Sequence, residues 1–467
     1  MKNSLHTLLI LAIMLSPLYV LGQFAAPSEK SQALTLEEAL EYAYVNSANM
    51  KNALLDIQIA KRDVGVTKAQ GLPQVNAGIS YTNNYAVPPV FLPADAAGVL
   101  GGGGNGGGQS QPSDEAVALR FGIQHQGDAT INASQMIFDG SYFVGLKAAR
   151  VFQGLTRKDY LLTKSNIAEQ VSKAYYTVLV NKERQGLVGS NLNRLDSLLR
   201  ETTLLYENGF VEKIDVDRVR VQFNNIKTEM NRIDRLTEVS MLLLKYQMGM
   251  PIEQELVLAE SIADIQLEEG LIEEDNFVYS DRFDYAKLMV NRDLVQLDIK
   301  NYQMQYLPRI TLTANYGYTN GGDEFGTLTN LNNWLNLGSA GVNLSLPIFD
   351  GLRKHNQIQK GKLQLQQIDN SARLLENTID LEVVQSRVQL ENSIENLEVQ
   401  EENLSLAREV YKVTRIKYQE GVGSNLEVVE AETALKESET NYYSALYDAL
   451  IAKVDLKKSM GALIEEN

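Results

Sequence analysis

Residues 171–206, VSKAYYTVLVNKERQGLVGSNLNRLDSLLRETTLLY, return 212 positions later as residues 383–418, VVQSRVQLENSIENLEVQEENLSLAREVYKVTRIKY. Val171, Val178, Gln185, Leu192, Leu199 and Tyr206 superpose on Val383, Leu390, Leu397, Leu404, Tyr411 and Tyr418, and both series step by seven. A strict seven-residue spacing predicts helices packed as left-handed coiled coils. The same offset carries on outward. Gly209 meets Gly421, Ile214 meets Leu426, Val216 meets Val428, and Met248-Gly249 meets Met460-Gly461. An offset of 211 superposes Ile137-Phe138-Asp139-Gly140 on Ile348-Phe349-Asp350-Gly351, and one of 235 superposes Leu72-Pro73 on Leu307-Pro308. Heptads recur by chance, but shared Gly and Pro punctuation does not, so the chain is a duplication. Its repeats are 23–250 and 281–467, joined by an acidic segment at 251–280.

Inside each repeat the hydrophobic period changes twice. Residues 35–70 are helical in pattern and stop at Leu72-Pro73, since proline disfavours helix in the residue before it. Alternation of period two follows: Val75, Ala77, Ile79 and Tyr81, then Ala129, Ile131 and Ala133. In the second repeat Ile310, Leu312, Ala314, Tyr316 and Tyr318 alternate with Thr311, Thr313, Asn315 and Gly317, and Ala340, Val342, Leu344, Leu346 and Ile348 do the same. Each such strand has one apolar face and one small polar face. Polar inserts at 82–128 and 319–338 separate the strands. The first holds the tract 101–108, seven glycines around Asn105, and leaves room for an extra strand near 119–123. From Ser141 and from Leu352 run helical patterns of about 65 residues, roughly 100 Å each. They end at Tyr206-Glu207-Asn208-Gly209 and Tyr418-Gln419-Glu420-Gly421. Helices of about 36 residues return from these turns. With the helix before the strands, each should make a stack of about 72 residues, matching one long helix.

The N-terminus has Lys2, an apolar run from Leu8 to Leu15, Pro17 and the end Val20-Leu21-Gly22, the pattern of a secretory signal at 1–22. The rest of the chain contains no uncharged apolar run near 18 residues, so a membrane crossing would have to be made with strands. Open strand edges in lipid strand backbone amides at several kcal/mol each, and four strands are too few to close. At least two chains must therefore contribute. With no cysteine, disulfide scaffolding is excluded. The net charge of -16 opposes binding to nucleic acid or to an anionic lipid surface. Gly101-x-Gly103-x-x-Gly106 fits a dinucleotide fingerprint only through its glycine tract and opens no helix. His6, His125 and His355 are scattered, so no zinc-type cluster assembles. No catalytic residue, cofactor or metal is expected, and the chain is not read as an enzyme.

The opening Leu34-Thr35-Leu36-Glu37-Glu38-Ala39-Leu40, the Leu-Pro helix-to-strand junctions, the Ile-Phe-Asp-Gly turns and the Tyr-x-x-Gly tips occur in one order and in duplicate. Together they resemble the TolC family of outer-membrane efflux proteins over nearly the whole chain. The resemblance implies a mainly α protein with a transmembrane β portion: a homotrimer with a 12-strand barrel in the outer membrane and an α-helical tunnel across the periplasm. It also implies an exit duct serving a periplasmic membrane-fusion adaptor and an inner-membrane pump of RND or ABC type. In that family acids just past the tip turns project into the lumen near the periplasmic entrance. Here those positions are Glu427 and Glu430, and Asp215 in the first repeat; each also suits the N-terminus of its returning helix. Tyr418 matches a family position that helps hold the entrance shut. The basic partner two residues after the glycine is replaced by Gly423, leaving Arg415 or Lys417 as substitutes. Gly209, Phe210, Gly421 and Val422, at the tips, resemble the adaptor-docking surface. Tyr81 and Tyr318 suit an interfacial girdle. The alternative to a duct is a structural periplasmic coiled-coil protein with a small soluble β domain.

Overall fold

The computed structural model describes residues 33–87, 89–92, 117–119, 122–262 and 277–464. The signal at 1–22, the glycine tract at 101–108 and residues 263–276 of the inter-repeat segment lie outside them. In the first repeat, β1 (Ala33–Leu34) leads to α1 (Leu36–Asn46) and α2 (Ala48–Ala69), then β2 (Gln74–Asn83), β3 (Val90–Leu92), β4 (Val117–Leu119) and β5 (His125–Phe138). The long α3 (Gly140–Glu207) and the returning α4 (Lys213–Met248) complete it. After β6 (Val257–Leu258), the second repeat has α5 (Phe283–Met304), β7 (Arg309–Gly322), α6 (Gly326–Thr329), β8 (Leu335–Ser345), α7 (Arg353–Gln419) and α8 (Asn425–Ser459).

The long helices have 68 and 67 residues, about 100 Å each. Asp139 caps the first by accepting a hydrogen bond from the Ser141 N–H at 2.8 Å. The second equivalent turn is built differently. Gly351 and Leu352 both take left-handed backbone (φ 67° and 65°) before α7 begins, and Asp350 accepts from the Lys354 N–H at 3.1 Å. At both tips the chain reverses through a glycine at positive φ, 77° at Gly209 and 75° at Gly421. There the Phe210 and Val422 N–H groups bond back to the carbonyls of Leu205 and Lys417, closing the helix ends.

The expected helix over 35–70 is broken at Ser47, whose ψ of 132° lies outside the helical region. Thr35 and Glu38 form a reciprocal capping box that starts α1, and α2 starts anew. This changes the stacking. Gly249, which ends α4 at φ 71°, stands where a Cβ would lie 2.7 Å from the Ser47 Cα. Gly461, which ends α8 at φ 75°, stands where a Cβ would lie 2.7 Å from the Asp281 carbonyl oxygen. So α4 abuts α2 and α8 abuts α5, at joints related by the duplication. The columns hold 36 and 22 residues, and 35 and 22. Each falls about ten residues short of its long helix; in the first repeat α1 lies outside the column.

Strand order in the main sheet is β2-β5-β7-β8, antiparallel throughout. The strands outrun their apolar alternation: β5 begins at His125 and β7 continues to Gly322. Backbone pairing persists where both faces turn polar or glycine-rich, and periodicity gives no signal there. β8 stops at Ser345, before Pro347, which has no N–H to donate. The extra strand appears at 117–119, pairing with β3. The largest core lies around the first joint, where Met50, Tyr175, Leu244, Met248 and Leu450 are buried together. There β1 pairs in parallel with β6, and the Tyr175 hydroxyl donates to the Leu34 carbonyl at 3.1 Å.

A candidate conduit and its entrance

The sheet register sorts the side chains by polarity. Across the four strands Ala77, Ile131, Tyr316 and Gly338 stand opposite one another, as do Val75, Ala133, Ala314 and Ala340. One face is therefore Val75, Ile79, Ile131, Leu312, Tyr316, Val342 and Leu344. Gln74, Asn76, Asn132, Thr313, Asn315 and Asn343 form the other. Ile79 is 88% exposed and Val342 70% exposed in the single chain, a placement that water does not favour. Toward the loop end of the apolar face, Tyr81 stacks on His125, its hydroxyl 2.8 Å from Nδ1, with Phe325 edge-on to both. Among the described residues no helix is long and apolar enough to cross a membrane.

The edges of this sheet, β2 and β8, are long and among the described residues have no partner beyond β5 and β7. The helical part has matching open edges. Its packing runs from the α2/α4 column to α3, from α3 to the α5/α8 column, and from that column to α7. The outer members carry exposed apolar stripes. On α7 these are Leu374, Leu381 and Val388, then Val399, Leu406 and Val413, all at steps of seven within each run; on the other side are Leu55, Ile59, Val66, Val221 and Val239. An amphipathic helix with a second apolar stripe needs a second neighbour.

At the far end the two hairpin tips meet. Val428 and Val429 of α8 are buried with Leu195 and Leu198 of α3 and Val219 and Ile226 of α4. Asn425 donates to the Thr202 hydroxyl at 3.3 Å. Phe210 and Val422 project into solvent, 77% and 78% exposed. Glu427 and Glu430 are exposed, and among the described residues neither carboxylate makes an ion pair. Asp215 is engaged locally: it accepts from the Glu212 N–H at 3.3 Å and lies 3.4 Å from the Arg218 guanidinium. The Tyr418 ring packs on the cluster of Val428, Leu195 and Val219, its hydroxyl buried and without a hydrogen-bond partner among the described residues. Arg415 donates to Tyr411 at 3.3 Å instead.

Two polar clusters, one of them buried, were not anticipated from the sequence. Glu432 and Glu439, seven apart on the inner face of α8, face α3 of the first repeat. Arg194 Nε reaches Glu432 at 3.1 Å and its guanidinium lies over the Tyr411 ring, while Asn191 donates to Glu439 at 3.2 Å. Burial pushes the Glu439 carboxyl up, against the pull of Arg194 and Asn191. A pair of acids at heptad spacing in an otherwise apolar stripe was the available signal. The second cluster lines a cavity of about 460 Å³ at the α8–α5 joint. Arg282 holds both Asp284 oxygens, at 3.1 and 2.8 Å, and reaches Glu382 and the Ser459 carbonyl, each at 2.9 Å. Nearby, burial raises the Glu169 carboxyl, but hydrogen bonds from Lys458 and Lys173 outweigh it and hold it below the ordinary carboxylate range. Each charged residue that lines the cavity is ion-paired, Asp455 with Lys173 beyond the lining. Among the described residues no three His, Asp or Glu are grouped to hold a metal ion.

Residues 280–462 match the family model described as outer membrane efflux protein. The outer membrane protein TolC of Vibrio cholerae is 20% identical over 457 residues, covering 97% of this chain and 96% of the relative. The crystal structure of VceC from Vibrio cholerae superposes with a TM-score of 0.67 at 17% identity, covering 91% of this chain and 96% of that one. The open state of the Neisseria gonorrhoeae MtrE outer membrane channel gives 0.70 at 17% identity, covering 92% and 89%.

Proposed function

Because the chain belongs to the TolC family of outer-membrane efflux proteins, we propose that it is the exit duct of a tripartite efflux or type I secretion system. It works as a homotrimer in the outer membrane, extends into the periplasm, and receives cargo from an inner-membrane pump through a periplasmic adaptor. The observation that carries this reading is the coincidence of open edges: the outer edges of strands β2 and β8 and the apolar stripes of the outer helical columns are all left without a partner among the described residues. β2 and β8 run in opposite directions, so β8 of one copy can pair with β2 of the next, leaving no backbone bare to lipid. The apolar face then meets the bilayer and the Gln, Asn and Thr face meets water.

Copy number follows from dimensions. Two copies give eight strands, whose interior side chains fill the barrel. Three give twelve strands and twelve helical columns; at about 9.5 Å between helix axes the columns form a ring roughly 36 Å across, with a bore of about 25 Å. Passage through such a bore requires no bond chemistry, so no residue is assigned a catalytic role. The entrance is assigned to the tips, farthest from the barrel, with Glu427 and Glu430 as its acids. Three copies of each in a narrow ring favour cations. Asp215 is the weaker member, since Arg218 offsets its charge. Tyr418 packs the ring shut through its side chain rather than through a tyrosine-to-arginine latch. Phe210 and Val422, beside Gly209 and Gly421, form the apolar tips that an adaptor would cover.

Heat-modifiable trimers in outer-membrane fractions, together with ion conductance in planar bilayers, are the expected results. A monomer released with the periplasmic extract would instead make this a structural coiled-coil protein.

A further inference from the structure

Where the two unpartnered helical edges come level they differ in charge: α4 presents Arg232 and Arg235, with Glu238 one turn further on, and α7 presents glutamates alone. Between Arg387 and Arg408, α7 holds Glu391, Glu395, Glu398, Glu401 and Glu402 and no basic residue. On α4, Arg232 and Arg235 are exposed beside Leu236 and Val239, and with Thr228 and Asn231 they line a groove of about 480 Å³. The Arg232 contact with Glu229 at 3.5 Å is an exposed one-turn pair, worth little. Glu398 and Glu402 stand one turn apart, with Val399 and Leu406 exposed alongside them.

The relative height of the two edges can be read from contacts. Gln185 of α3 donates to Asp234 of α4 at 2.7 Å, so these residues are level. Nine residues nearer the tip, Arg194 is level with Asn225, and its guanidinium lies over Tyr411 of α7. Nine residues back up from Tyr411 is Glu402, level therefore with Asp234 and next to Arg235. A rotation axis along the tunnel preserves height, so the same levels face each other between copies.

Resting on the homotrimer proposed above, we infer that Arg232 and Arg235 of one copy dock against Glu398 and Glu402 of the next, with Leu236 and Val239 packing on Val399 and Leu406. This seam decides which edge meets which. Two α4 edges would bring arginine against arginine and two α7 edges glutamate against glutamate, so like edges repel and the copies close head to tail.

The chain has no cysteine, so an engineered pair can form only the intended bond. Leu236→Cys with Val399→Cys should cross-link neighbouring copies into covalent trimers on non-reducing gels. Val413 lies 14 residues nearer the tip than Val399, about 21 Å, beyond the reach of a disulfide. Leu236→Cys with Val413→Cys should therefore cross-link roughly tenfold less. In parallel, Arg232→Glu with Arg235→Glu should lower the temperature at which trimers dissociate, and adding Glu398→Arg with Glu402→Arg should restore it. Equal cross-linking by both pairs, or a four-residue swap no more heat-resistant than the two-residue reversal, overturns the seam while wild-type trimers persist. A wild type that is monomeric in detergent overturns the trimer with it.

Discussion

Replacing Gly249 and Gly461 together by alanine tests the abutment of the short helices, and Gly209 with Gly421 supplies the control. All four have φ between 71° and 77°, so every alanine bears the same left-handed backbone penalty, about 1–2 kcal/mol. Their surroundings differ. At Gly209 and Gly421 an added Cβ meets nothing within 4 Å, whereas at Gly249 it comes within 2.7 Å of the Ser47 Cα and 3.0 Å of the Asn46 carbonyl oxygen. At Gly461 it comes within 2.7 Å of the Asp281 carbonyl oxygen. These are backbone atoms that cannot turn aside, and such overpacking adds about 1–3 kcal/mol per site. The joint pair should therefore cost about 4–10 kcal/mol per chain against about 2–4 for the tip pair, treating distant sites as additive. Unfolding entropy near 2.1 cal/mol/K per residue makes about 1 kcal/mol/K for this chain, so the midpoints should fall by about 4–10 °C and 2–4 °C. The assay is thermal melting of detergent-purified protein, followed by far-ultraviolet circular dichroism at one scan rate. Equal shifts for the two pairs would show that the columns do not meet end to end.

Three further outcomes are expected. Arg282→Lys should destabilise the protein by about 1–3 kcal/mol in chemical denaturation, because the three donors of an ammonium sit on one atom and cannot reproduce the four hydrogen bonds that the guanidinium fork makes to Asp284, Glu382 and the Ser459 carbonyl; wild-type stability would show that the fork is dispensable. Glu427→Gln with Glu430→Gln should reduce cation preference, read as reversal potential across a KCl gradient, and an unchanged potential would place both acids outside the constriction. Glu439→Gln should flatten the dependence of stability on pH. The Glu439 carboxyl is raised in the folded chain, so its contribution is fully present below its ordinary value of 4.5 and is lost as pH rises through the folded value. Parallel wild-type and variant curves from pH 4.5 to 8 would exclude Glu439 as the source.

Both coiled-coil hairpins and all four strands of the main sheet were legible because each rests on a local period. Leu390 and Leu404 are seven-step residues and are buried as that spacing requires. The tip glycines were legible because only a residue without a Cβ readily takes φ near 75°. The break at Ser47 was not, since Ser47 falls inside an unbroken helical pattern; in the structure α4 ends against it. The buried acids were equally hidden. Glu432 and Glu439 stand at heptad spacing, but only the fold places Arg194, some 240 positions away, opposite them.

By itself, then, the order of residues determined which segments are helix and strand, where each reverses, and that one face of the sheet is apolar, because those properties depend on neighbours a few positions apart. Which columns touch, how far short of the long helices they stop, and which charges face one another were decided only in the folded chain. Those are contacts between residues far apart in the chain, and no period along the chain encodes the distance between them.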